Sequence, residues 1–272
     1  MNKPTLAFIG GGNMATSLIG GLLEKGYPAS NITASDPMKE NRDRLSQQFG
    51  INTTDDNNKA ALADIIVLAI KPQVIKQVAE DIRPALAHQP LIISIAAGIT
   101  MSSLEGWLGP QTPIVRCMPN TPALVQTGAA GLFANSQVDK AQQTAAGEVL
   151  DAVGISCWLE KEAEIDAVTA VSGSGPAYFF LVMEAMEKVG IELGLSPEIA
   201  RKLTLQTALG AAKMAIESDV DSAELRRRVT SPGGTTQRAI ETFLDGDLPG
   251  LFSKAMTGAV ERAQEMAKEM AD

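Results

Sequence analysis

Short apolar runs alternate with helical stretches along the first half of the chain. The runs do not alternate with polar residues, which is typical of strands that helices cover on both faces. Because strands alternate with helices, the pattern predicts an α/β fold with a doubly wound, parallel sheet. The predicted strands cover residues 6–9, 31–34, 65–70, 91–95, a run that begins at 114–115, 129–133 and 155–159.

No convincing strand follows residue 163, and helical patterns continue to the end of the chain. We therefore expect one domain over residues 1–161 and an all-helical domain over residues 162–272. Small residues at 207–212 would let helices approach closely, and the abundance of Ala and Leu predicts a homodimer through this helical domain. The predicted helices cover 165–171, 177–193, 197–216, 223–229, 236–243 and 251–270.

The formal net charge of −9 argues against nucleic acid and anionic membranes as partners. Cys117 and Cys157 have no metal-like spacing, so we expect two reduced thiols in the core and no metal site. Sparse cysteine and an N-terminus without an apolar run favour the cytoplasm. We expect no segment with the ~20 apolar residues that span a bilayer.

A glycine-rich turn follows the first predicted strand and opens a helix. Residues 10–15 read Gly-Gly-Gly-Asn-Met-Ala and fit G-x-G-x-x-A, the fingerprint of dinucleotide binding in this context. Gly10 would permit the tight turn, Gly12 would let the backbone approach the pyrophosphate, and Ala15 would let the helix pack on the sheet. The free N–H groups of the helix would face the phosphates.

The end of the second strand should meet the adenosine ribose. Asp36 could accept hydrogen bonds from the 2′-hydroxyl of NAD, and Ser35 with Lys39 or Arg42 could hold the 2′-phosphate of NADP. A simple Asp-Pro turn is the alternative. Lys71 follows the third predicted strand, where ligands bind in such sheets, and small residues at 94–98 leave room for a nicotinamide ring.

Two segments of the helical half combine glycine with hydroxyl residues before a helix: residues 172–176 and 231–236. Free N–H groups and a helix dipole at such places suit a carboxylate, although ordinary helix–helix turns have the same composition. The one histidine, His88, lies before a strand and away from the expected crevice. Without a histidine as proton donor, a carbon–nitrogen double bond fits better than a keto acid, because its nitrogen can be protonated beforehand.

The chain resembles the pyrroline-5-carboxylate reductases along its whole length. The matching blocks are residues 8–15, 71–73, 116–122, 171–178 and 229–236. The resemblance implies a Rossmann domain, a helical dimerisation domain, and dimers that sometimes assemble into decamers. It also implies hydride transfer from NADPH or NADH to C5 of a cyclic imine, which gives L-proline. NADPH is the expected cofactor, with NADH also used, although an aspartate at position 36 would repel a 2′-phosphate.

The resemblance also implies roles for individual residues. The backbone at Gly234 and Thr235 would hold the substrate carboxylate, and Thr236 Oγ would bond the ring nitrogen as the catalytic group. The expected substrate-binding residues are Asn120, Ser172, Gly173, Ser174, Gly175, Pro176, Gly233, Gly234, Thr235 and Thr236. The expected cofactor-binding residues are Ile9, Gly10, Gly11, Gly12, Asn13, Met14, Ser35, Asp36, Asn57, Ala69, Ile70, Lys71, Pro72, Ala96 and Ala97.

A 3-hydroxyacid dehydrogenase and a non-catalytic dinucleotide-binding module are the alternative functions. A 3-hydroxyacid dehydrogenase would share the two-domain plan but would use a lysine after a glycine-rich stretch. Residues 172–178 contain no lysine, and the next is Lys188. A non-catalytic module that senses dinucleotides would have no need of the 231–236 segment.

Overall fold

The computed structural model describes residues 3–270. Eight strands form one sheet in the order β3-β2-β1-β4-β5-β6-β7-β8. Their bounds are β1 (Leu6–Ile9), β2 (Ile32–Ser35), β3 (Asn52–Thr54), β4 (Ile65–Leu68), β5 (Leu91–Ser94), β6 (Ile114–Met118), β7 (Gly128–Ala134) and β8 (Gly154–Trp158). Six helices accompany the strands: α1 (Asn13–Glu24), α2 (Lys39–Phe49), α3 (Asn57–Ala60), α4 (Pro72–Ile82), α5 (Met101–Leu108) and α6 (Lys140–Asp151).

Strands β1 to β6 run parallel, as predicted, whereas β7 pairs with β6 in antiparallel fashion. The predicted doubly wound parallel sheet is confirmed, with one antiparallel pair, β6 and β7, towards this edge. A parallel return needs a crossover of a dozen or more residues, and the connection over 119–127 is too short for one. Strand β8 is parallel to β7 and shares its reversed direction.

The centre of the sheet is covered on both faces, since β1, β4 and β5 are completely buried, and this explains their unbroken apolar runs. Leu6 and Phe8 of β1 face one buried cluster, which includes Leu18 of α1. Ile9 of the same strand faces a second cluster with Ile75 of α4. Strand β3, which was not predicted, is a short edge strand of polar residues, so it carries no apolar signal.

Six more helices follow the sheet: α7 (Glu164–Val168), α8 (Gly175–Glu192), α9 (Pro197–Glu217), α10 (Ser222–Arg228), α11 (Thr235–Asp245) and α12 (Leu248–Glu269). The expected loop at 172–176 is absent. A π-helical turn, Thr169–Gly173, continues α7 towards α8, and the Ser174 amide donates to the Thr169 carbonyl at 2.7 Å. The expectation of a loop is wrong because Ser172 and Gly173 belong to a wide helical turn and do not interrupt the helix.

The expectation that no segment is long and apolar enough to span a membrane is also wrong. Residues Glu164–Glu192 form one helical stretch that is long and apolar enough to cross a membrane, by length and composition only. Such a signal from one helix is weak evidence for a membrane.

The chain divides into two compact units. The first comprises residues 1–174 together with 259–272, and the second comprises 175–258. The C-terminal part of α12 thus belongs with the sheet, where Met270 packs against the buried cluster that contains Ile75. The domain boundary at residue 161 stays a prediction.

The two cysteines differ. Cys117 is buried in β6, and burial raises the pKa of its thiol well above the usual range. Cys157 is exposed on the edge strand β8, so the prediction of a core thiol is wrong there.

Candidate active site

The turn after β1 requires glycine at its first position. Gly10 has a φ of +104°, and a Cβ added to it would lie 2.3 Å from the Ala69 carbonyl oxygen. Its amide donates to the Ser35 carbonyl at 2.7 Å. The ends of β1, β2 and β4 are therefore drawn together, at the point where the strand order changes direction and where sheets of this type bind ligands.

Gly12 is a glycine for a different reason. Its φ of −75° is open to any residue, and a Cβ there would meet no atom within 4 Å. It is the N-cap of α1, which has neither a side-chain cap nor an acidic residue in its first turn. An open cradle before uncapped N–H groups fits a dinucleotide pyrophosphate.

The Asp36 side chain stabilises the glycine turn through a hydrogen bond to the Gly11 amide. This side chain is buried, and its carboxylate accepts from the Gly11 amide at 2.8 Å, the Met38 amide at 2.8 Å and Asn41 Nδ2 at 3.1 Å. Arg44 Nη2 donates to the Gly11 carbonyl at 2.7 Å. The peptide groups of Gly11 are thus held on both sides by α2 and the turn before it.

The other residues of the expected adenosine site also form hydrogen bonds or ion pairs within the chain. Ser35 Oγ donates to Asn57 Oδ1 at 2.6 Å, where Asn57 is the first residue of α3. Arg42 Nη1 donates to the Asp36 and Pro37 carbonyls. Lys39 pairs with Asp43 at 2.6 Å on the surface of α2.

The remaining expected cofactor residues follow the next two strands. Ala69, Ile70, Lys71 and Pro72 connect β4 to α4, with Lys71 exposed as the N-cap of that helix. Ala96 and Ala97 follow β5 and line a cavity of about 180 Å³ with Arg116, Thr169 and Ser174. This cavity lies within the first compact unit, so one expected substrate residue, Ser174, is brought beside two expected cofactor residues.

Asn120 and the π turn brace each other. Asn120 Nδ2 donates to the Ser172 carbonyl at 3.1 Å, and Asn120 Oδ1 accepts from the Ala129 amide at 2.9 Å. A Cβ on Gly173 would lie 2.7 Å from Met118 Cε, so Gly173 packs closely against the end of a side chain from β6. Gly175 and Pro176 begin α8, where the second unit starts.

The segment before α11 lies in the second unit and retains the features expected of an anion site. Gly233 has a φ of +71°, and Gly234 is the N-cap of α11 without a side-chain cap. Thr235 and Thr236 are the first two residues of the helix, and both are exposed. This helix and α1 share a glycine N-cap and a first turn without acidic residues.

Sequence reasoning missed an ion pair beside the cavity. Arg116 of β6 and Glu162, which precedes α7, lie 2.7 Å apart between Nη1 and Oε1. No local pattern relates two residues 46 positions apart. His88 is exposed at the end of a 3₁₀ turn, with Nε2 3.0 Å from the Ala63 carbonyl oxygen, and it takes no part in the site.

Comparison with known proteins assigns the family. A family model for pyrroline-5-carboxylate reductase dimerisation matches residues 162–266, and a model for NADP oxidoreductases, coenzyme F420-dependent, matches residues 5–98. The pyrroline-5-carboxylate reductase of Pseudomonas aeruginosa is 56% identical over 271 residues, which covers 99% of both chains.

Solved structures agree with this assignment. A pyrroline-5-carboxylate reductase from Coxiella burnetii superposes with a TM-score of 0.95 at 46% identity, over 98% of this chain and 99% of the other. The Plasmodium falciparum pyrroline carboxylate reductase, solved with NADP bound, has a TM-score of 0.87 at 31% identity, again over 98% and 99%. The chain belongs to the pyrroline-5-carboxylate reductase family of NAD(P)-dependent oxidoreductases.

Proposed function

We propose that this chain reduces 1-pyrroline-5-carboxylate to L-proline with NAD(P)H, the final step of proline biosynthesis. The observation that carries the proposal is the identity of 56% to a reductase of that name over almost the full length of both chains. The uncapped, glycine-led N-termini of α1 and α11 supply the two anion sites that a dinucleotide and an imino acid need.

The cofactor is assigned to the ends of β1, β2, β4 and β5. The α1 N-terminus holds the pyrophosphate, residues 35, 36 and 57 border the adenosine, and residues 69–72 with 96–97 line the nicotinamide side. When bound, NAD(P)H supplies the hydride. We assign this binding function to residues 1–161 and substrate binding and dimerisation to residues 162–272.

The substrate is assigned to the segment before α11. The amides at Gly234 and Thr235 hold the carboxylate, and Thr236 Oγ bonds the ring nitrogen. Orientation of the imine supplies most of the rate, since a protonated imine accepts hydride without a strong protein acid.

NADPH is the favoured cofactor in this proposal, and NADH is also used. The Asp36 carboxylate is buried and accepts three hydrogen bonds from the protein, so it opposes a 2′-phosphate less than an exposed aspartate would. Asn57 Oδ1 is bound by Ser35, which leaves the Asn57 amide nitrogen as a donor beside the ribose.

A homodimer through the helical domain is the proposed assembly, with decamers as a further step. In one copy, Gly175, Ala200 and Thr204 are the only buried residues within 175–269. Large apolar side chains such as Phe179, Phe180 and Leu209 are more than 60% exposed. Apolar surface of this extent marks an interface.

The direct test follows absorbance of the reduced nicotinamide while pyrroline-5-carboxylate is added to the purified protein. The proposal predicts oxidation of NADPH, slower oxidation of NADH, and formation of proline. No oxidation of either cofactor would contradict it. A 3-hydroxy acid supplied with NAD or NADP should give no reduction. Light scattering at micromolar concentration tests the assembly, and a monomer would contradict the dimer.

A further inference from the structure

One carboxylate oxygen joins three separate parts of the first unit. Glu162 lies between β8 and α7, and its Oε1 accepts from Arg116 Nη1 of β6 at 2.7 Å. The same oxygen accepts from the Met101 amide at 2.6 Å. Met101 is the first residue of α5, so Glu162 binds the N-terminus of that helix and a strand at once.

Burial of the Arg116 side chain makes loss of this ion pair unfavourable. The Arg116 side chain is 8% exposed and that of Glu162 is 30% exposed. Glu162 is the sole ion-pair partner of Arg116 within residues 3–270. Removing one member of such a pair leaves an uncompensated charge in the interior, which is strongly unfavourable.

The segment that this contact holds is the one after β5. Residues 95–100 connect Ser94 to α5 and include Ala96 and Ala97. One end is held because Ser94 is in register with Arg116 across the β5–β6 pair. The other end is held because Glu162 binds the Met101 amide. Backbone pairing with β6 therefore fixes the Ser94 end, and Glu162, which Arg116 holds in place, fixes the Met101 end.

The same segment forms a wall of the cavity. Ala96, Ala97 and Gly98 line it on one side, and Arg116 lines it as well. Gly98 has a φ of +76°, a left-handed conformation, so the segment turns sharply between its two fixed ends. A shift of the α5 N-terminus would therefore move the cavity wall.

We propose that Glu162 is a positioning residue for the nicotinamide wall, acting through Arg116 and the Met101 amide. The inference rests on the proposed function, because that function places the nicotinamide against Ala96 and Ala97. Glu162 itself need not touch cofactor or substrate.

A neighbouring carboxylate offers a matched control. Glu164 accepts two hydrogen bonds, from the Glu160 amide at 2.9 Å and the Lys161 amide at 3.0 Å. Its hydrogen bonds stay within residues 160–164, and within the described chain it forms none with β6 or α5. Loss of Glu164 therefore removes a similar number of bonds from the same segment and leaves the cavity wall in place.

The test compares Glu162→Ala, Glu162→Gln and Glu164→Ala in the full chain. Dissociation constants for NADPH and amide hydrogen exchange over residues 95–101 are measured without substrate, followed by kcat and KM. We expect Glu162→Ala to weaken NADPH binding about tenfold and to speed exchange over 95–101, since it removes two charge-assisted hydrogen bonds. Glu162→Gln keeps an oxygen acceptor and should recover most of the binding, whereas Glu164→Ala should match the wild type.

Wild-type NADPH binding and exchange in Glu162→Ala would overturn the inference, as would equal losses in Glu164→Ala. If Glu162→Ala does not fold, Arg116→Lys replaces it, because lysine keeps the charge but alters the contact. Unchanged binding and exchange in Arg116→Lys would then overturn the inference. Both readouts are taken without substrate, so a wild type that binds NADPH but does not reduce pyrroline-5-carboxylate would overturn the proposed function alone.

Discussion

The Asp36 carboxylate accepts a hydrogen bond from the Gly11 amide, with 2.8 Å between Oδ2 and nitrogen. It therefore supports the glycine turn, to which the proposed function assigns the pyrophosphate. We predict that Asp36→Asn weakens binding of NADPH and NADH by a similar factor, about tenfold, because an amide nitrogen would face a backbone donor. Fluorescence titration with both cofactors measures this.

Asp43→Asn is the control for that variant, since Asp43 pairs with Lys39 on the surface of α2 and does not touch the glycine turn. A change in the ratio of the two dissociation constants in Asp36→Asn would show instead that the carboxylate selects the cofactor at the ribose.

Thr236→Ala should lower kcat/KM for pyrroline-5-carboxylate while NADPH binding stays at the wild-type value. The lost hydrogen bond is worth about 0.5–1.5 kcal/mol, or roughly a two- to tenfold decrease. Thr236→Ser should restore much of the activity. Thr242→Ala, whose hydroxyl donates to the Arg238 carbonyl in the same helix, should have no such effect. An unaltered kcat/KM would remove Thr236 from the site.

The helical half should depend on a second copy for its stability. Because α10, α11 and α12 bury no residue in one copy, the free energy of unfolding should depend on protein concentration. For a dimer that unfolds to monomers, each tenfold increase in concentration adds about 1.4 kcal/mol. Urea unfolding at several concentrations measures this, and a midpoint that does not move would contradict the dimer.

Two buried serines at strand ends, Ser94 of β5 and Ser35 of β2, should respond differently to substitution by alanine. Ser94 Oγ is buried without a hydrogen-bond partner among the described residues, whereas Ser35 Oγ donates to Asn57. We expect Ser94→Ala to leave the free energy of unfolding unchanged or raised, and Ser35→Ala to lower it by about 1 kcal/mol. Equal losses in urea unfolding would show that Ser94 has a partner.

Asp64 should contribute to stability only above the acid range. The Thr5 amide and then the Thr5 hydroxyl, both 2.7 Å from Oδ2, lower the pKa of this carboxyl below its usual value of 3.8. A lowered pKa in the folded state means that the stabilisation is present above the unfolded-state pKa and is lost as the pH falls through the folded-state value.

Urea unfolding of the wild type and Asp64→Asn between pH 7 and the acid range checks this. The stability difference should be constant at neutral pH and should shrink below the usual carboxyl pKa. Asp81→Asn is the control, since Asp81 accepts from the Gln77 side chain on the surface. A difference that does not change with pH would contradict the role of the Asp64 charge.

Much of the first unit could be predicted because its central strands, such as β1, β4 and β5, are completely buried. Seven of the strands carry an apolar run, whereas β3 at the edge carries none. The reversal at β7 depends on the length of one connection, which the apolar pattern does not encode. The π turn was predicted as a break between helices because serine and glycine are turn formers, whereas here Ser172 and Gly173 belong to a wide helical turn.

The candidate site shows the same division between local and distant information. The glycine turn could be predicted because its residues are adjacent and its context is local. The contact of Arg44 with the Gly11 carbonyl joins residues 33 positions apart, and that of Arg116 with Glu162 joins residues 46 apart. Tertiary packing alone brings these pairs together, so periodicity and composition give no sign of them.

The place of α12 has a consequence for how the protein is made. This helix begins in the second unit, but its last residues belong to the first, where Met266 lies beside Gly98 and Met270 packs under the sheet. Domains of nascent chains generally fold in the order in which they leave the ribosome. Here the N-terminal unit lacks part of its own structure until residues 259–270 have been made, so it cannot complete its folding before the whole second unit has been translated.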